Sequence, residues 1–486
     1  MQFLSGAFFI FLPIVFTVYH LAQKQYRYIV LLAANLIFYA WSDITVLPVL
    51  GLTTLLTYAG GLLLGRKKSR GIYALFFTLN ILILAVYKYT GFFFECAEGI
   101  GSLFGGAALK PQPFSLVAPL GLSFYIFQST SYLGDTYRKD FPPEKNFFRY
   151  AAFVSFFPTI LSGPIQRSRD LIPMIEHPSD FSFDRARKGV ILLVWGFFEK
   201  IVVANKLLAF VNLIFDNYKS FSGEYHIAAA LCFSIYIYSD FSSYSDMAAG
   251  AAKLLGFDIK TNFKNPYLSE TLADFWNRWH MTLNTWFLEN VYIPLGGSRK
   301  GKFRKYLNIM TVFLISGLWH GASLSFVIWG GLNGLLRILG ELTAPLRHAA
   351  YKICKIDDES LAVRLFRKAF VFATITLTWV FFRMPTAADA WRFICGMFTT
   401  SPLSLFDRRV FAVTGDITDA NAFLVIVAVF TAVQILRRKE KKYYGVFASQ
   451  PLFAQTCCLA VLIFVTLLTA FSGTAEINTQ FVYYKF

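Results

Sequence analysis

The fold class of this chain is decided by residues 306–340, YLNIMTVFLISGLWHGASLSFVIWGGLNGLLRILG. This apolar stretch is longer than the roughly 20 residues that one membrane-spanning helix needs, so it predicts two helical elements with a break between them. Comparable apolar runs occur at 3–21, 28–45, 46–65, 71–88, 189–213, 225–238, 369–382, 421–436 and 451–472. We therefore predict an all-α polytopic membrane protein with about 10–12 transmembrane helices and additional re-entrant or interfacial helices.

The composition supports a membrane protein over a set of soluble domains. The 486 residues are 56% hydrophobic and 15% charged, whereas soluble domains average about 45–50% apolar and about 25% charged residues. The polar pieces between the apolar runs are too short to form a separate soluble domain. The sequence thus predicts a single transmembrane domain over residues 1–486.

The charge balance points to membrane lipid as a partner. There are 46 Lys and Arg against 29 Asp and Glu, a formal net charge of +17. In a chain this apolar, such an excess indicates lipid headgroups rather than nucleic acid, and its clusters at 66–70, 299–305 and 437–442 are typical of cytoplasmic anchors. The six Cys form no CxxC pair and no two His are spaced i,i+4, so we predict no metal site.

One histidine lies deep in the deciding stretch. His320 is fifteen residues beyond Lys305, the end of a basic cluster, which is about 22 Å along a helix and well inside an apolar core of about 30 Å. A histidine at that depth is expected to be neutral and able to act as a general base. The alternative is a hydrogen-bonded core histidine without a catalytic role.

A second histidine lies in the aromatic stretch 272–297, LADFWNRWHMTLNTWFLENVYIPLGG. Asp274 and Arg278 are spaced i,i+4 and can pair on a helix, and His280 and Asn284 share a face in the same way. The density of Trp suits an aromatic-walled cavity or, alternatively, a plain interfacial amphipathic helix.

Two further stretches place polar residues inside membrane-compatible sequence. Residues 119–140 carry polar side chains at helical spacing, among them Gln128 and Asp135, and residues 235–258 carry Asp240 and Asp246. Ionisable groups at membrane depth usually face a protein interior or a watery cavity. Helices that lie flat at the interface are the alternative.

Together these stretches resemble the membrane-bound O-acyltransferase family, in its bacterial alginate O-acetylation branch. The resemblance covers nearly the whole chain, from the opening stretches FLSGAFFIFLPIVFTVYHLA and LLAANLIFYAWSD to the terminal FVYYKF. Between them it is carried by PLGLSFYIFQSTSYLGDTYR, FFPTILSGPIQRSRDL, YSDFSSYSDMAAGAAKLLGFD, DFWNRWHMTLNTWFLENVYIPLGG and SGLWHGASLSFVIWGGLNG, in this order. It implies a ring of tilted helices around a thinned membrane centre, with a funnel leading to the catalytic histidine and a catalytic core at about 115–340.

The resemblance also implies roles for particular residues. The essential histidine of the family corresponds to His320 in Trp319-His320-Gly321, the second histidine to His280 in Arg278-Trp279-His280, and the aspartate of SYSDMA to Asp246. The chain departs from the branch at Asn333, where a further histidine is common, so only two histidines carry over.

The implied activity moves an acyl group from a cytoplasmic thioester across the membrane to O-acylate a cell-envelope polymer or exopolysaccharide. Acetyl is the acyl group that the resemblance favours. His320 would act as the base and His280 would assist. Asp246 with Tyr244 would line the same polar cavity, or Asp246 would pair with Arg278. The remaining residues expected along the donor and acceptor path are Arg278, Trp279, Asn284, Trp319, Arg299, Lys300 and Lys302.

The expected partners follow from the same resemblance. They are membrane lipid, acetyl-CoA or an acyl-carrier thioester as the donor substrate, an extracytoplasmic second transferase and a polysaccharide acceptor, with no permanently bound cofactor. The expected location is the bacterial cytoplasmic membrane. D-alanyl transfer from a carrier protein to teichoic acid is the alternative activity. A secondary transporter, for which inverted repeats would be expected, and an envelope scaffold are the alternatives without catalysis.

Overall fold

The computed structural model describes residues 1–41, 43–103, 118–221, 223–399 and 449–472, with residues 410, 427–428, 430–431, 447 and 480–482. Within these residues all regular secondary structure is helical, which confirms the predicted all-α class. Most of the apolar run predicted at 421–436 and the whole basic cluster at 437–442 lie outside the described residues.

The contacts of the chain define two compact units, of which the first comprises the described parts of residues 1–193 and 245–260. Its helices include α8, whose last residues belong to the second unit. They are α1 (Gly6–Leu21), α2 (Arg27–Ala40), α3 (Leu47–Arg66), α4 (Arg70–Leu103), α5 (Leu122–Arg138), α6 (Phe147–Val154), α7 (Ser168–Glu176) and α8 (Phe183–Phe198).

Helix α5 is buried along nearly its whole length, together with its polar residues. Gln128 and Asp135 are at most 4% exposed. The Ser168 hydroxyl donates to the Asp135 carboxylate at 2.7 Å, and Arg138 pairs with the same carboxylate at 2.9 Å. A buried charge needs such partners to offset the loss of water. The predicted interior position of these polar residues is confirmed.

The second unit comprises the described parts of residues 194–244 and 261–482. It also holds two π-helical turns, Glu199–Ala204 and Leu288–Tyr292. Its helices are α9 (Asn205–Asp216), α10 (Gly223–Leu254, continuing into the first unit), α11 (Leu272–Arg278), α12 (Met281–Phe287), α13 (Lys302–His320), α14 (Leu324–Leu342), α15 (Ala344–Ile353), α16 (Leu361–Arg383), α17 (Ala387–Met397) and α18 (Leu452–Ser472).

Helices α13 and α14 form an antiparallel pair whose backbones touch. The break predicted within 306–340 is confirmed, since α13 ends at His320 and α14 begins at Leu324. A Cβ atom on Gly317 would lie 2.3 Å from the Phe326 carbonyl oxygen, and one on Gly330 would lie 2.3 Å from the Phe313 carbonyl oxygen. Small residues allow this approach, as is common between helices in membranes.

Four helices among the described residues are long and apolar enough to cross a membrane: Ile44–Arg66, Arg70–Gly91, Leu361–Arg383 and Leu452–Ala470. This is fewer than the predicted 10–12 spans. Helices α1 and α2 are shorter, with 16 and 14 residues, and α5 has a low mean hydropathy because its buried face is polar. Length and apolarity alone therefore identify only part of a polytopic protein in which helices shield each other's polar groups.

The close contact of α13 and α14 predicts a position-specific effect of a single methyl group. Gly330→Ala should destabilise the protein by about 1–3 kcal/mol, because the added Cβ meets a backbone oxygen that cannot rotate away. The matched control is Gly331→Ala, whose Cβ would find its nearest neighbour, a Leu314 methyl group, at 3.6 Å. Unfolding of the detergent-solubilised variants measures the difference; equal stability of the two would contradict the packing.

Candidate active site

A cavity of about 390 Å³ lies in the second unit, bounded by residues of α11, α12, α13 and α14. His280 and His320, which are 40 positions apart in the sequence, both line it. Trp279 and Asn284 line it as well. The structure thus brings four of the sequence-predicted site residues to one space.

His280 lies at the break between α11 and α12. The i,i+4 spacings in this stretch predict helix, and the structure has two: α11 ends at Arg278 and α12 begins at Met281. His280 adopts a left-handed conformation with φ 45°, which side chains other than glycine rarely adopt. The Met281 amide donates to the Asn262 carbonyl at 2.8 Å and holds this turn in place. The break directs the histidine into the protein, where it is 2% exposed.

Burial also sets the protonation state of His280, which lies outside the four apolar helices. Removal from water lowers the pKa of its imidazole below the usual range, because burial disfavours the charged form. The ring is therefore neutral near pH 7. A neutral imidazole can accept a proton or a hydrogen bond from a substrate hydroxyl.

His320 is the last residue of α13 and is enclosed by aromatic rings. Its ring centroid lies 4.6 Å from Trp319, 5.1 Å from Trp329 and 5.1 Å from Phe382, each in an edge-to-face arrangement. The residue is 4% exposed and lines the cavity. Aromatic walls of this kind exclude water and fix the orientation of the imidazole.

Trp319 lies beside both histidines. Its ring centroid is 4.6 Å from that of His320 and 6.1 Å from that of His280. Trp319 is outside the set of residues that line the cavity. Its ring therefore packs against both imidazoles.

Asn284 and Trp279 support the turn that carries His280. The Asn284 side-chain amide donates to the Trp279 carbonyl at 2.7 Å and also to the Trp276 carbonyl, so it satisfies the end of α11. The Trp279 ring is 2% exposed and packs 5.0 Å from Trp379. The predicted sharing of a face by His280 and Asn284 is consistent with both lining the cavity.

Three further predicted residues, like Trp319, lie away from the cavity lining. Arg278 forms the predicted ion pair with Asp274, at 2.8 Å. Tyr244 is fully buried, and its ring is 5.1 Å from Phe481. Asp246 is partly buried and belongs to the first unit.

The cations that line the cavity are not the ones that the sequence predicts. Arg299, Lys300 and Lys302 are exposed and lie outside the lining. Lys305 on α13 and Arg337 on α14 line it instead. Glu341 accepts hydrogen bonds from both, with Arg337 at 3.3 Å, so a carboxylate holds the two cations together across the helix pair.

Part of this cluster carries a signal in the sequence. Arg337 and Glu341 are spaced i,i+4 within an apolar helix, where charges are costly and usually functional. The partnership with Lys305 depends on the antiparallel packing of α13 and α14, which the sequence does not show. Asn333, at the departure from the family pattern, is 1% exposed and donates to the Trp329 carbonyl at 2.8 Å.

Known proteins are similar to this chain over the residues that form the site. The profile of the membrane-bound O-acyltransferase family, MBOAT, matches residues 36–351, a range that includes His280 and His320. The probable alginate O-acetylase AlgI of Azotobacter vinelandii is 33% identical over 440 residues, which cover 88% of this chain and 85% of that protein.

Two other relatives carry different names. The peptidoglycan O-acetyltransferase of Helicobacter pylori is 30% identical over 432 residues, covering 82% of this chain and 79% of that protein. The teichoic acid D-alanyltransferase of Bacillus subtilis is 26% identical over 235 residues, covering 46% of this chain and 59% of that protein. The similarity is thus more extensive to the O-acetyl-transferring relatives than to the D-alanyl-transferring one.

The support that Asn284 gives to the His280 turn predicts a loss of stability on its removal. Asn284→Ala should destabilise the protein by about 1–3 kcal/mol, because two partly buried carbonyls lose their donor. Asn217→Ala removes a similar hydrogen bond, to the Leu213 carbonyl at 2.9 Å, at an exposed site and should change stability by less than about 0.5 kcal/mol. Unfolding in detergent measures both, and similar losses for the two variants would refute the supporting role.

Proposed function

The chain belongs to the membrane-bound O-acyltransferase family, and we propose that it moves an acetyl group from a cytoplasmic thioester to the hydroxyl groups of an envelope polysaccharide. It is an O-acyltransferase and a multi-pass membrane protein, as the family implies. The relatives named for O-acetyl transfer to alginate and peptidoglycan support a polysaccharide acceptor. The cytoplasmic membrane of a bacterium is the proposed location.

One observation carries this proposal. The two histidines of the family motifs, His280 and His320, line one cavity together with the cations Lys305 and Arg337. A space of this kind can hold an anionic thioester donor and a hydroxyl group next to a base. A transporter or an envelope scaffold would not require this combination, and neither is proposed.

The proposed step transfers the acyl group from the thioester to an attacking hydroxyl group. The imidazole of His320 takes the proton of the attacking hydroxyl group. At the same time the hydroxyl oxygen forms a bond to the thioester carbonyl carbon. The tetrahedral intermediate then collapses, the carbon–sulfur bond breaks, and the thiolate leaves and takes up the proton that the His320 imidazolium holds. His280, neutral and buried, is proposed to orient the hydroxyl group or to relay its proton.

The donor is proposed to be acetyl-CoA or an acyl-carrier thioester. Lys305 and Arg337 would contact its phosphates within the cavity, while the exposed cations Arg299, Lys300 and Lys302, at and just before the start of α13, would attract it from a distance. Attraction by exposed charges weakens with salt, because the Debye length is about 8 Å at physiological ionic strength. Contacts inside the cavity depend less on salt.

The acceptor side is proposed to involve a partner. The attacking hydroxyl group would belong to a second transferase on the extracytoplasmic side, which then passes the acyl group to the polymer. D-alanyl transfer to teichoic acid is the second candidate, supported by the similarity to the Bacillus subtilis protein. The group released from the polymer by mild alkali, acetate or D-alanine, distinguishes the two activities.

Loss of the base tests the proposed function. His320→Ala should lower acyl transfer by at least about 100-fold, since general-base catalysis contributes roughly 10²–10⁴-fold. Alkali-released acetate from envelope polymers, together with transfer from labelled acetyl-CoA by the purified protein, measures the effect. His177→Ala, at an 81% exposed histidine, is the control. Unchanged acetate with normal amounts of the His320→Ala protein would contradict the assignment.

The cations that line the cavity and the exposed cations before them can be distinguished by their effects on KM for the donor. Lys305→Met should raise KM for the donor by about tenfold, the cost of one charge-assisted hydrogen bond. Lys302→Met, three residues earlier and exposed, should raise KM by less than about twofold, and only at low salt. Initial rates at two ionic strengths test this; a larger effect of Lys302→Met would show that the exposed cations, and not those of the cavity, hold the donor.

A further inference from the structure

A buried ion pair stands apart from the cavity lining. Lys200 lies in the π-helical turn Glu199–Ala204, and Asp240 lies on α10. The Lys200 Nζ is 2.6 Å from the Asp240 Oδ1, and both side chains are 0% exposed. The step proposed above uses neither residue.

The pair is completed by a segment near the C-terminus. Lys200 Nζ also donates to the Gln480 carbonyl at 2.9 Å, and the Val482 amide donates to the second Asp240 carboxylate oxygen at 2.7 Å. Phe481, between these two backbone groups, is 1% exposed. Its ring lies 4.6 Å from Lys200 Nζ and 5.1 Å from the Tyr244 ring. We call Lys200, Asp240 and residues 480–482 the C-terminal anchor.

The charges and the segment depend on each other. Two buried charges stabilise a fold only if further hydrogen bonds satisfy their remaining donor and acceptor sites. Here the backbone of residues 480–482 supplies such a bond to each charge, from about 240 positions further along the chain than Asp240. Loss of the segment would leave each charge with fewer partners, and loss of either charge would release the segment.

The Phe241 ring connects the C-terminal anchor to the candidate active site. Phe241, the neighbour of Asp240 on α10, packs edge-on against His280 with ring centroids 4.7 Å apart and an interplanar angle of 81°. Tyr244, one turn further along α10, contacts the anchored Phe481. A rotation or shift of α10 that follows release of the segment would therefore move the ring that holds the His280 imidazole.

We propose that Lys200 and Asp240 are positioning residues, which anchor residues 480–482 and thereby fix Phe241 against His280. This proposal rests on the proposed role of His280 in acyl transfer. Residues 480–482 then contribute to the reaction by keeping His280 in position, although they lie outside the cavity lining. Removal of the anchor lowers the rate of the chemical step and leaves donor binding intact.

The first arm of the test measures the anchor without reference to activity. Hydrogen exchange followed by mass spectrometry is applied to the full-length protein in detergent, with attention to the peptide that contains Val482. In Asp240→Asn this peptide should exchange at least about tenfold faster, the fold-change expected for loss of a charge-assisted hydrogen bond. Asp180→Asn is the matched control, because it neutralises an exposed ion pair with Lys24. Equal exchange in Asp240→Asn and the wild type would overturn the anchor.

The second arm measures the positioning role and leaves both charges in place. Val482→Pro removes the amide that Asp240 accepts from, whereas Val482→Ala retains it. Relative to Val482→Ala, Val482→Pro should lower kcat by about tenfold and change KM for acetyl-CoA by less than about twofold, because only the group that handles the hydroxyl is displaced.

The outcomes of the second arm separate the two proposals. Faster exchange of the segment with unchanged kcat would overturn the positioning role. An equal rise in KM for the donor would show a general loss of structure and would overturn it as well. A wild-type protein without transferase activity would contradict the proposed function, while the exchange arm would still test the anchor.

Discussion

The contact between the backbones of α13 and α14 is the constraint on which the rest of the site depends. Gly317 and Gly330 lie where any side chain would meet a carbonyl oxygen of the other helix. This approach fixes the end of α13, and with it the position of His320. It also brings Lys305 and Arg337, near the other end of the pair, to a shared carboxylate. A single packing feature thus sets the positions of both His320, the proposed base, and the cations of the cavity.

The second unit otherwise stabilises polar groups in apolar surroundings by pairing them with partners both near to and far from them in the sequence. Asn284 satisfies the end of α11, and the Lys200–Asp240 pair is satisfied by a segment near the C-terminus. Each of these groups would be expensive to bury alone. Their partners place the surrounding elements, so the polar residues of the chain determine geometry as well as chemistry.

The sequence predicts much of this arrangement where the signal is local. The helical class, the break within 306–340 and the Asp274–Arg278 pair follow from apolar runs and i,i+4 spacing, and the structure confirms them. The break at His280 was missed, since its left-handed turn depends on a hydrogen bond to Asn262 in another segment. Lys305 and Arg337 were not selected, because only the packing of two helices joins them. The span count depends on which polar helices are shielded by neighbours, a property that hydropathy does not measure.

The central claim is that the cavity holds the acyl donor with its reacting carbon beside His320. A cryo-electron microscopy structure of the protein with a non-hydrolysable thioether analogue of acetyl-CoA tests it most directly. We expect the analogue in the cavity, with its phosphates near Lys305 and Arg337. Its acyl carbon should lie within about 3–3.5 Å of the point where a hydroxyl oxygen hydrogen-bonded to the His320 imidazole would sit. An analogue bound elsewhere, with its acyl group away from both histidines, would contradict the account.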